Sequence, residues 1–259
     1  MAKRNRIERD ERLLVVDDQA VNRDLATRLL KRAGFQVSAV ASGDEAIEAL
    51  RTESYDLVFM DIRMSGMSGI EATAAIRALP GELAKIPVVA LTADTVSDLG
   101  DDFEKAGFSA FAAKPIDREA LIETLEQLLS KGSIAAPEPE GARNETMNLD
   151  PDTIETLKKA IGDAAFPSLL DKFISEIGEQ LGSLRLALES GQLEDVRIGA
   201  HNIKGCAGTV GTMRLRGAAE SLEHADCDRD ASAAFSLLTD LESMGSEALA
   251  ALSTYRNAL

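Results

Sequence analysis

The sequence predicts two domains of different fold class: an α/β domain with a five-stranded parallel sheet, followed by an all-α four-helix bundle. In the first half, short apolar runs alternate with amphipathic segments, which is typical of a parallel sheet covered by helices on both faces. Residues 131–148 carry no periodicity and include two prolines, which predicts a linker. Beyond it the strand signals stop and helical periodicity continues.

The strands of the α/β domain are predicted from apolar runs that are bounded by polar or glycine-containing segments. They cover residues 12–16, 36–40, 57–60, 87–91 and 110–113. Helices are predicted between and after them, over residues 20–33, 43–51, 69–78, 94–106 and 117–129. Gly34 is expected to end the first helix. Crossovers in such sheets are right-handed, which leaves few topologies.

The second half predicts an antiparallel bundle because its helices are joined by short connections. Asp150 is expected to cap a helix whose first turn contains Pro151. The four substantial helices are predicted over residues 168–189, 192–210, 213–224 and 231–255. The expected organisation is therefore a first domain over 1–130, a linker over 131–148 and a helical domain over 149–259.

The net charge, the lengths of the apolar runs and the cysteine count exclude several classes of function. The chain of 259 residues has a net charge of −16, so phosphate backbones and anionic lipid headgroups would repel it. We therefore expect neither nucleic-acid nor membrane-surface binding. No apolar run is long enough to span a bilayer, and no secretion signal is evident at the N-terminus. The 2 cysteines are too few for a disulfide framework, so a reducing, cytoplasmic location is expected.

Polar side chains follow four of the five predicted strands. Asp17 and Asp18 follow the first, Asp61 the third, Thr92 the fourth and Lys114 the fifth. Each alone is an ordinary turn or cap signal, but parallel strands bring their carboxyl ends to one edge of a sheet. Crowded carboxylates require a divalent cation, and oxygen ligands suit Mg²⁺. Asp61 is the candidate nucleophile, while Lys114 and Thr92 would stabilise a phosphoryl group.

His201 is the candidate reactive residue of the helical half. It lies about 100° of helical rotation away from the apolar stripe of its own helix, so we expect it to face solvent. Its own face carries Arg197, Lys204, Gly205 and Gly208. Two glycines inside a helix are costly, and they would give another protein access to the imidazole. Lys204, with Arg197 as a further candidate, would hold a phosphoryl group, and neutral imidazole is a competent nucleophile.

Residues 12–130 resemble a response-regulator receiver domain. The matching segments are Leu14-Val15-Val16-Asp17-Asp18, Met60-Asp61-Ile62-Arg63-Met64, Leu91-Thr92-Ala93 and Lys114-Pro115. The resemblance implies a flavodoxin-like sheet, phosphorylation at Asp61, and Mg²⁺ held by Asp17, Asp18, Asp61 and the main-chain carbonyl of Arg63. It also puts Phe111 at the aromatic switch position of the family, although a plain core phenylalanine is an equal alternative.

The loop after the third strand departs from the receiver pattern. Ser65 stands where the family usually has proline, and Ser68 where an acidic residue is common. Neither position is catalytic in the family, so these changes bear on the loop more than on the reaction. Arg63 and Asp94 occupy positions that tune the lifetime of the acyl phosphate in the family.

The region from Leu149 onward resembles a histidine-phosphotransfer (HPt) domain. The motif is Ala200-His201-Asn202-Ile203-Lys204-Gly205, with Ile203 where the family has leucine. His224, the other histidine, lacks small or basic companions and is interpreted as a surface residue. Cys206 is interpreted as a small packing residue beside Ala207 and Gly208.

Together the two resemblances imply two-component phosphorelay signalling through Asp61 and His201. The expected partners are a sensor histidine kinase and the receiver domains of downstream response regulators. The usual order in related proteins makes Asp61 the entry and His201 the exit, while the reverse order, separately served sites and docking between the two domains stay open. The sequence contains no Gly-rich ATP-binding segment, so we expect a phosphotransfer intermediate and not an enzyme. A free-standing chain is expected, while the C-terminal piece of a hybrid kinase stays open as an alternative.

Two other classes of function compete with this interpretation. In the first, the receiver is a phosphorylation-dependent clamp that controls access to the helical domain or inhibits a kinase. In the second, Asp61 serves a Mg²⁺-dependent phosphohydrolase. Enzymes of the second class usually need another carboxylate closely following the nucleophile as a general acid, and residues 62–70 contain none.

Overall fold

A computed structural model describes residues 9–92, 105–114, 121–125, 128, 148–225 and 231–259. The chain divides into two compact units, Met1–Pro139 and Glu140–Leu259. The predicted bounds of the linker, 131–148, fall almost wholly on residues outside the described part and stay a prediction.

The first unit is built on the five-stranded parallel sheet that the sequence predicts. Its strands are β1 (Arg12–Val16), β2 (Gln36–Val40), β3 (Leu57–Asp61), β4 (Val88–Thr92) and β5 (Ala110–Ala113). Their order in the sheet is β2-β1-β3-β4-β5, and all four pairings are parallel. This is the flavodoxin-like order, so the predicted fold class is confirmed.

Helices α1 (Ala20–Arg32), α2 (Gly43–Thr52) and α3 (Gly69–Arg77) connect the first strands. Gly34 ends α1 with a φ of 103°, as its position predicts. Ser68 begins α3 with a capping box: its side chain accepts from the Glu71 backbone N–H, and the Glu71 carboxylate accepts from the Ser68 N–H. A 3-10 helix over Gly81–Lys85 precedes β4.

Two apolar clusters bury the two faces of the sheet, because side chains alternate along each strand. Leu13, Val15 and Phe59 point into one cluster, which also takes residues of α1. Leu14 and Met60 point into the other, with residues of α2 and α3. β3 and β4 are buried along their whole length, as expected for central strands of a parallel sheet.

Every secondary-structure element in the described part of the second unit is a helix. Its helices are α4 (Pro151–Ile161), α5 (Phe166–Glu189), α6 (Leu193–Thr209), α7 (Met213–Glu223) and α8 (Ala231–Asn257). The last four are the predicted bundle helices. The prediction omitted the extent of α4 although it included its start: Asp150 caps the helix by accepting from the Asp152 N–H, and Pro151 stands in the first turn. Helix α6 contacts both α5 and α7.

Two predicted helices lie mostly outside the described residues. Of the helix predicted over 94–106, only residues 105 and 106 are described, and both are helical. Of the helix predicted over 117–129, residues 121–125 and 128 are described and helical. Asp94 lies outside the described part. Among the described helices, none is long and apolar enough to cross a membrane.

Gly69 allows α3 to begin against the end of β3, which suggests a first test. A Cβ at this position would lie 2.0 Å from the carbonyl oxygen of Asp61, so the backbone would have to shift. We expect Gly69→Ala to lower the free energy of unfolding of the first unit by about 3 kcal/mol, the upper end of overpacking costs. Urea unfolding of the full chain measures this loss.

Gly81→Ala is the matched control. Gly81 has a φ of 71°, but no atom lies within 4 Å of the place that an added methyl group would take. Alanine there adds backbone strain without a clash, and we expect a loss of about 1 kcal/mol. Equal losses in the two variants would contradict the close approach of α3 to Asp61.

Candidate functional site

The carboxylates predicted to form a site are brought together by neighbouring strands. β1 pairs with β3 so that Val16 lies beside Met60. The residue after Val16 is Asp17, and the residue after Met60 is Asp61. Carboxylate oxygens of Asp17, Asp18 and Asp61 all lie within 4.8 Å of one another. Asp17 and Asp61 are buried, whereas Asp18 is half-buried. The clustering of acidic groups at the strand ends is therefore present in the structure.

Lys114 lies between the two buried carboxylates. Its Nζ is 2.9 Å from Asp17 Oδ2 and 2.7 Å from Asp61 Oδ2. The lysine follows β5, and its backbone N–H donates to the Thr92 carbonyl oxygen at the end of β4. The side chains of all three ionisable residues are no more than 6% exposed. The sequence predicted that these three residues lie at the same edge of the sheet, but it did not predict the ion pairs between them.

Burial dominates the electrostatics of this cluster. It raises the pKa of Asp61 to about 8, although Lys114 acts to lower it and Asp17 to raise it further. Burial also raises the pKa of Asp17, again opposed by Lys114. For Lys114 burial alone would lower the pKa, but the carboxylates of Asp17 and Asp61 outweigh it and raise the pKa. The attraction of Lys114 thus offsets only part of the effect of burial on the two carboxyl groups.

The cluster fits a divalent metal ion. Asp61 Oδ1 is buried and has no hydrogen-bond partner among the described residues, which is costly without a further ligand. The available donors are hard carboxylate oxygens, the ligand type that Mg²⁺ prefers. A cation there would also offset the charge that burial penalises. The residues present therefore fit the group that the sequence predicts.

The structure also describes Thr92, Arg63 and Phe111, the other residues to which the sequence analysis gives a role in this domain. Thr92 is buried at the end of β4, one residue beyond the partner of Asp61 in the β3–β4 register. Arg63 is half-buried in the loop between β3 and α3. Phe111 is half-buried and packs against a small cluster that includes Ile62 and Ala90. Their predicted roles, including the Arg63 carbonyl as a ligand, stay predictions.

His201 does not face solvent, so the prediction of an exposed histidine was wrong. The residue is 3% exposed, and Lys204 is 4% exposed. The prediction allowed α6 one buried face, but α7 packs against a second face of the helix, and every residue from Ala200 to Gly211 is buried. His224 is exposed and Cys206 is buried, which confirms both of those interpretations.

Glu223 at the end of α7 contacts both basic residues of this second site. Its Oε1 lies 2.8 Å from His201 Nδ1, and its Oε2 lies 2.6 Å from Lys204 Nζ. This residue was not predicted from the sequence. The available signal was that Glu223 falls on the buried stripe of α7, four positions after Ala219 and next to Leu222. A charged group on an apolar stripe indicates a buried partner.

The carboxylate of Glu223 is ionised and accepts a hydrogen bond from the histidine. Burial would raise the pKa of Glu223, but hydrogen bonds from His201 and Lys204 outweigh it and lower the pKa to about 2. Glu223 is therefore ionised at neutral pH and accepts hydrogen bonds only. Nδ1 of the His201 ring must then carry a proton and donate it to Glu223, so the neutral form of the ring would have its lone pair on Nε2.

The small and basic residues predicted on the face of His201 have different surroundings in the structure. A Cβ at Gly205 would meet no atom within 4 Å, in keeping with the predicted clearance. A Cβ at Gly208 would lie 3.4 Å from the Arg216 side chain, so this glycine gives room to an arginine of α7. Arg197 pairs with Glu194 at 3.6 Å near the start of α6.

Comparison with known proteins gives two family matches. Residues 13–126 match the family model described as response regulator receiver domain, and residues 168–252 match the model described as Hpt domain. The sensory/regulatory protein RpfC of Xanthomonas campestris pv. campestris is 28% identical over 212 residues, 80% of this chain and 29% of RpfC. The sensor protein GacS of Pseudomonas syringae pv. syringae is 30% identical over 223 residues, 83% of this chain and 24% of GacS.

The chain therefore spans less than a third of the length of these relatives. Among solved structures, it is similar to the receiver domain of sensor histidine kinase PA1611 from Pseudomonas aeruginosa PAO1. That likeness has 29% identity and a TM-score of 0.45, and it covers 48% of this chain and 100% of that one. The PA1611 domain was solved with a magnesium ion in its active site cleft.

Glu223→Gln tests the electrostatics of the second site. The change removes the carboxylate charge that lies 2.6 Å from the buried Lys204 Nζ, so we expect a loss of about 3 kcal/mol in the free energy of unfolding at pH 7. Because the folded pKa of about 2 lies below the usual value of 4.5, the ionised carboxylate stabilises the fold above pH 4.5. That contribution disappears as the pH falls through 2, so the gap between variant and wild type should shrink over this window.

Urea unfolding at a series of pH values measures the gap. Glu220→Gln is the control, because Glu220 lies on the same helix and forms no ion pair with the residues that the structure describes. A gap that stays constant from pH 7 down to the acid limit would show that Glu223 does not interact with the basic residues through its charge.

Proposed function

Because the chain belongs to the phosphorelay proteins that join a response regulator receiver domain to an Hpt domain, we propose that Asp61 and His201 are its two phosphoryl acceptors. The observation that carries the proposal is the pair of buried sites. One holds a carboxylate beside a lysine and further acidic ligands, and the other holds a histidine whose Nδ1 contacts Glu223. Both sites fall inside the matched domains.

At the first site the Asp61 carboxylate attacks the phosphorus of an incoming phosphoryl group. The bond from phosphorus to the donor breaks, and an acyl phosphate forms on Asp61. Lys114 already lies 2.7 Å from this carboxylate and supplies positive charge next to the developing phosphate. Thr92 at the adjacent strand end supplies a hydroxyl donor in the proposal.

At the second site His201 Nε2 attacks the phosphorus of an acyl phosphate. The phosphorus–oxygen bond to the donor aspartate breaks, that aspartate recovers its carboxylate, and a phosphorus–nitrogen bond forms on the imidazole. The ring keeps its Nδ1 proton and becomes positively charged. Glu223, 2.8 Å from Nδ1, stabilises that charge. In this proposal Lys204 helps to neutralise the phosphoryl group, and its present partner is Glu223.

We further propose that Asp17, Asp18, Asp61 and the Arg63 carbonyl hold Mg²⁺. When bound, this ion would supply positive charge to the phosphoryl oxygens. The support is the donor set and the buried Asp61 Oδ1, which has no hydrogen-bond partner in the part of the chain that the structure describes.

The proposed partners are a sensor histidine kinase and receiver domains of response regulators. The entry at Asp61 and the exit at His201 follow the usual order of related proteins. Both matched domains are phosphotransfer modules, and the proposal has the chain take its phosphoryl group from other proteins in the cytoplasm without an enzyme activity of its own.

Labelling with a radioactive small acyl phosphate and Mg²⁺ tests the two acceptors. We expect wild type to carry a base-labile label on Asp61 and an acid-labile, base-stable label on His201. Asp61→Ala should lose both labels to background, because the histidine receives its phosphoryl group from Asp61. His201→Ala should keep only the base-labile label.

Two variants control for surface groups of the same type. Asp44→Ala removes an exposed carboxylate in the first turn of α2, and His224→Ala removes the exposed histidine that caps α7. Both should label as wild type. If Asp61→Ala keeps the histidine label, His201 is served independently of Asp61, and the relay within the chain is wrong.

Asp17→Asn tests the proposed metal site. The substitution removes a buried carboxylate from the cluster, so we expect the affinity for Mg²⁺ to fall at least about 10-fold. Calorimetric titration of the full chain with Mg²⁺ measures it. Asp44→Asn should leave the affinity unchanged, and an equal affinity in Asp17→Asn and wild type would count against the site.

A further inference from the structure

Asp18 is held in place by the residue that departs from the receiver pattern. Its Oδ2 accepts a hydrogen bond from the Ser65 backbone N–H at 3.0 Å and another from the Ser65 hydroxyl at 3.1 Å. The two residues are 47 positions apart in the chain. The loop that follows β3 is thereby tied to the loop that follows β1, on the rim of the acidic cluster.

A proline at position 65, which is usual in the family, would form neither bond. Proline has no backbone N–H and no hydroxyl. The serine therefore adds two donors to one carboxylate oxygen at a place where the receiver pattern provides none. The hydroxyl of Ser68, in the same loop, instead takes part in the capping box at the start of α3.

Asp18 is the member of the cluster that most needs such support. Asp17 and Asp61 are buried and paired with Lys114, whereas Asp18 is half-buried. Among the described residues, its other oxygen accepts only the Gln19 side-chain amide, at 3.2 Å. A carboxylate at the rim can adopt several rotamers. Fixing one of them in advance reduces the entropy lost when a cation binds.

We propose that Ser65 is a positioning residue that orients Asp18 toward a divalent cation and so raises the affinity of the receiver site for Mg²⁺. The two donors hold Oδ2 and stabilise the ionised carboxylate. They also fix the loop that carries Arg63, whose carbonyl is a proposed ligand. This inference rests on the proposed metal site, and it assigns part of that site's affinity to a residue that does not touch the ion.

Calorimetric titration of the full chain with Mg²⁺ tests the inference. Loss of an outer partner of a metal ligand typically lowers affinity about 10-fold or more, so we expect about that loss in Ser65→Pro. Ser65→Ala keeps the backbone donor and should lose less, about 3-fold. Ser65→Thr keeps both donors on an exposed residue and should bind Mg²⁺ as wild type does.

Ser68→Ala is the matched control, because its hydroxyl bonds within the capping box and not to the acidic cluster. It should leave the Mg²⁺ affinity unchanged. Ser65→Ala carries the test even if Ser65→Pro does not fold. Affinity as high as or higher than wild type in Ser65→Ala overturns the inference.

A double-mutant cycle separates action through Asp18 from a general effect on the loop. In an Asp18→Asn background, Ser65→Ala should cause no further loss of Mg²⁺ affinity. The same loss in both backgrounds overturns the inference. Wild-type chain that binds no Mg²⁺ would remove the proposed metal site as well, whereas wild-type binding with an unaffected Ser65→Ala removes this inference alone.

Discussion

The ion pairs of Lys114 with Asp17 and Asp61 are the interaction on which the receiver site depends. Burying any one of these charged groups alone would be very costly, and even beside Lys114 burial raises the pKa of Asp61 to about 8. The parallel sheet makes the arrangement unavoidable, because β1, β3 and β5 end at the same edge. Three acidic side chains surround one lysine, and this excess of acidic groups suits the site to a cation.

The helical unit has a buried site in which basic side chains outnumber acidic ones. There one carboxylate, Glu223, contacts two basic residues, His201 and Lys204. Its pKa of about 2 keeps it ionised, and an ionised Glu223 accepts a hydrogen bond from Nδ1 of the His201 ring. In the proposal, the acidic site accepts a phosphoryl group on oxygen, and the basic site accepts one on nitrogen. The two chemistries match the two proposed steps.

The sequence predicted the elements well because their signals are local. Strands such as β3 are continuous apolar runs, and α3 begins at a serine followed three residues later by glutamate. It also predicted the convergence of Asp17, Asp61 and Lys114, since parallel strands fix where their ends lie. Contacts between helices were harder. The burial of His201 and its bond to Glu223 depend on which face of α6 receives α7, and periodicity within one helix does not carry that information.

Borohydride trapping of the phosphorylated chain tests the central claim most directly. Borohydride reduces an aspartyl phosphate to homoserine, which peptide mass spectrometry then locates in the sequence. After phosphorylation by a small acyl phosphate with Mg²⁺, the account predicts homoserine at position 61 and at no other aspartate. Homoserine at position 17 or 18, or none in a His201→Ala chain that has taken up label, would contradict Asp61 as the phosphoryl acceptor.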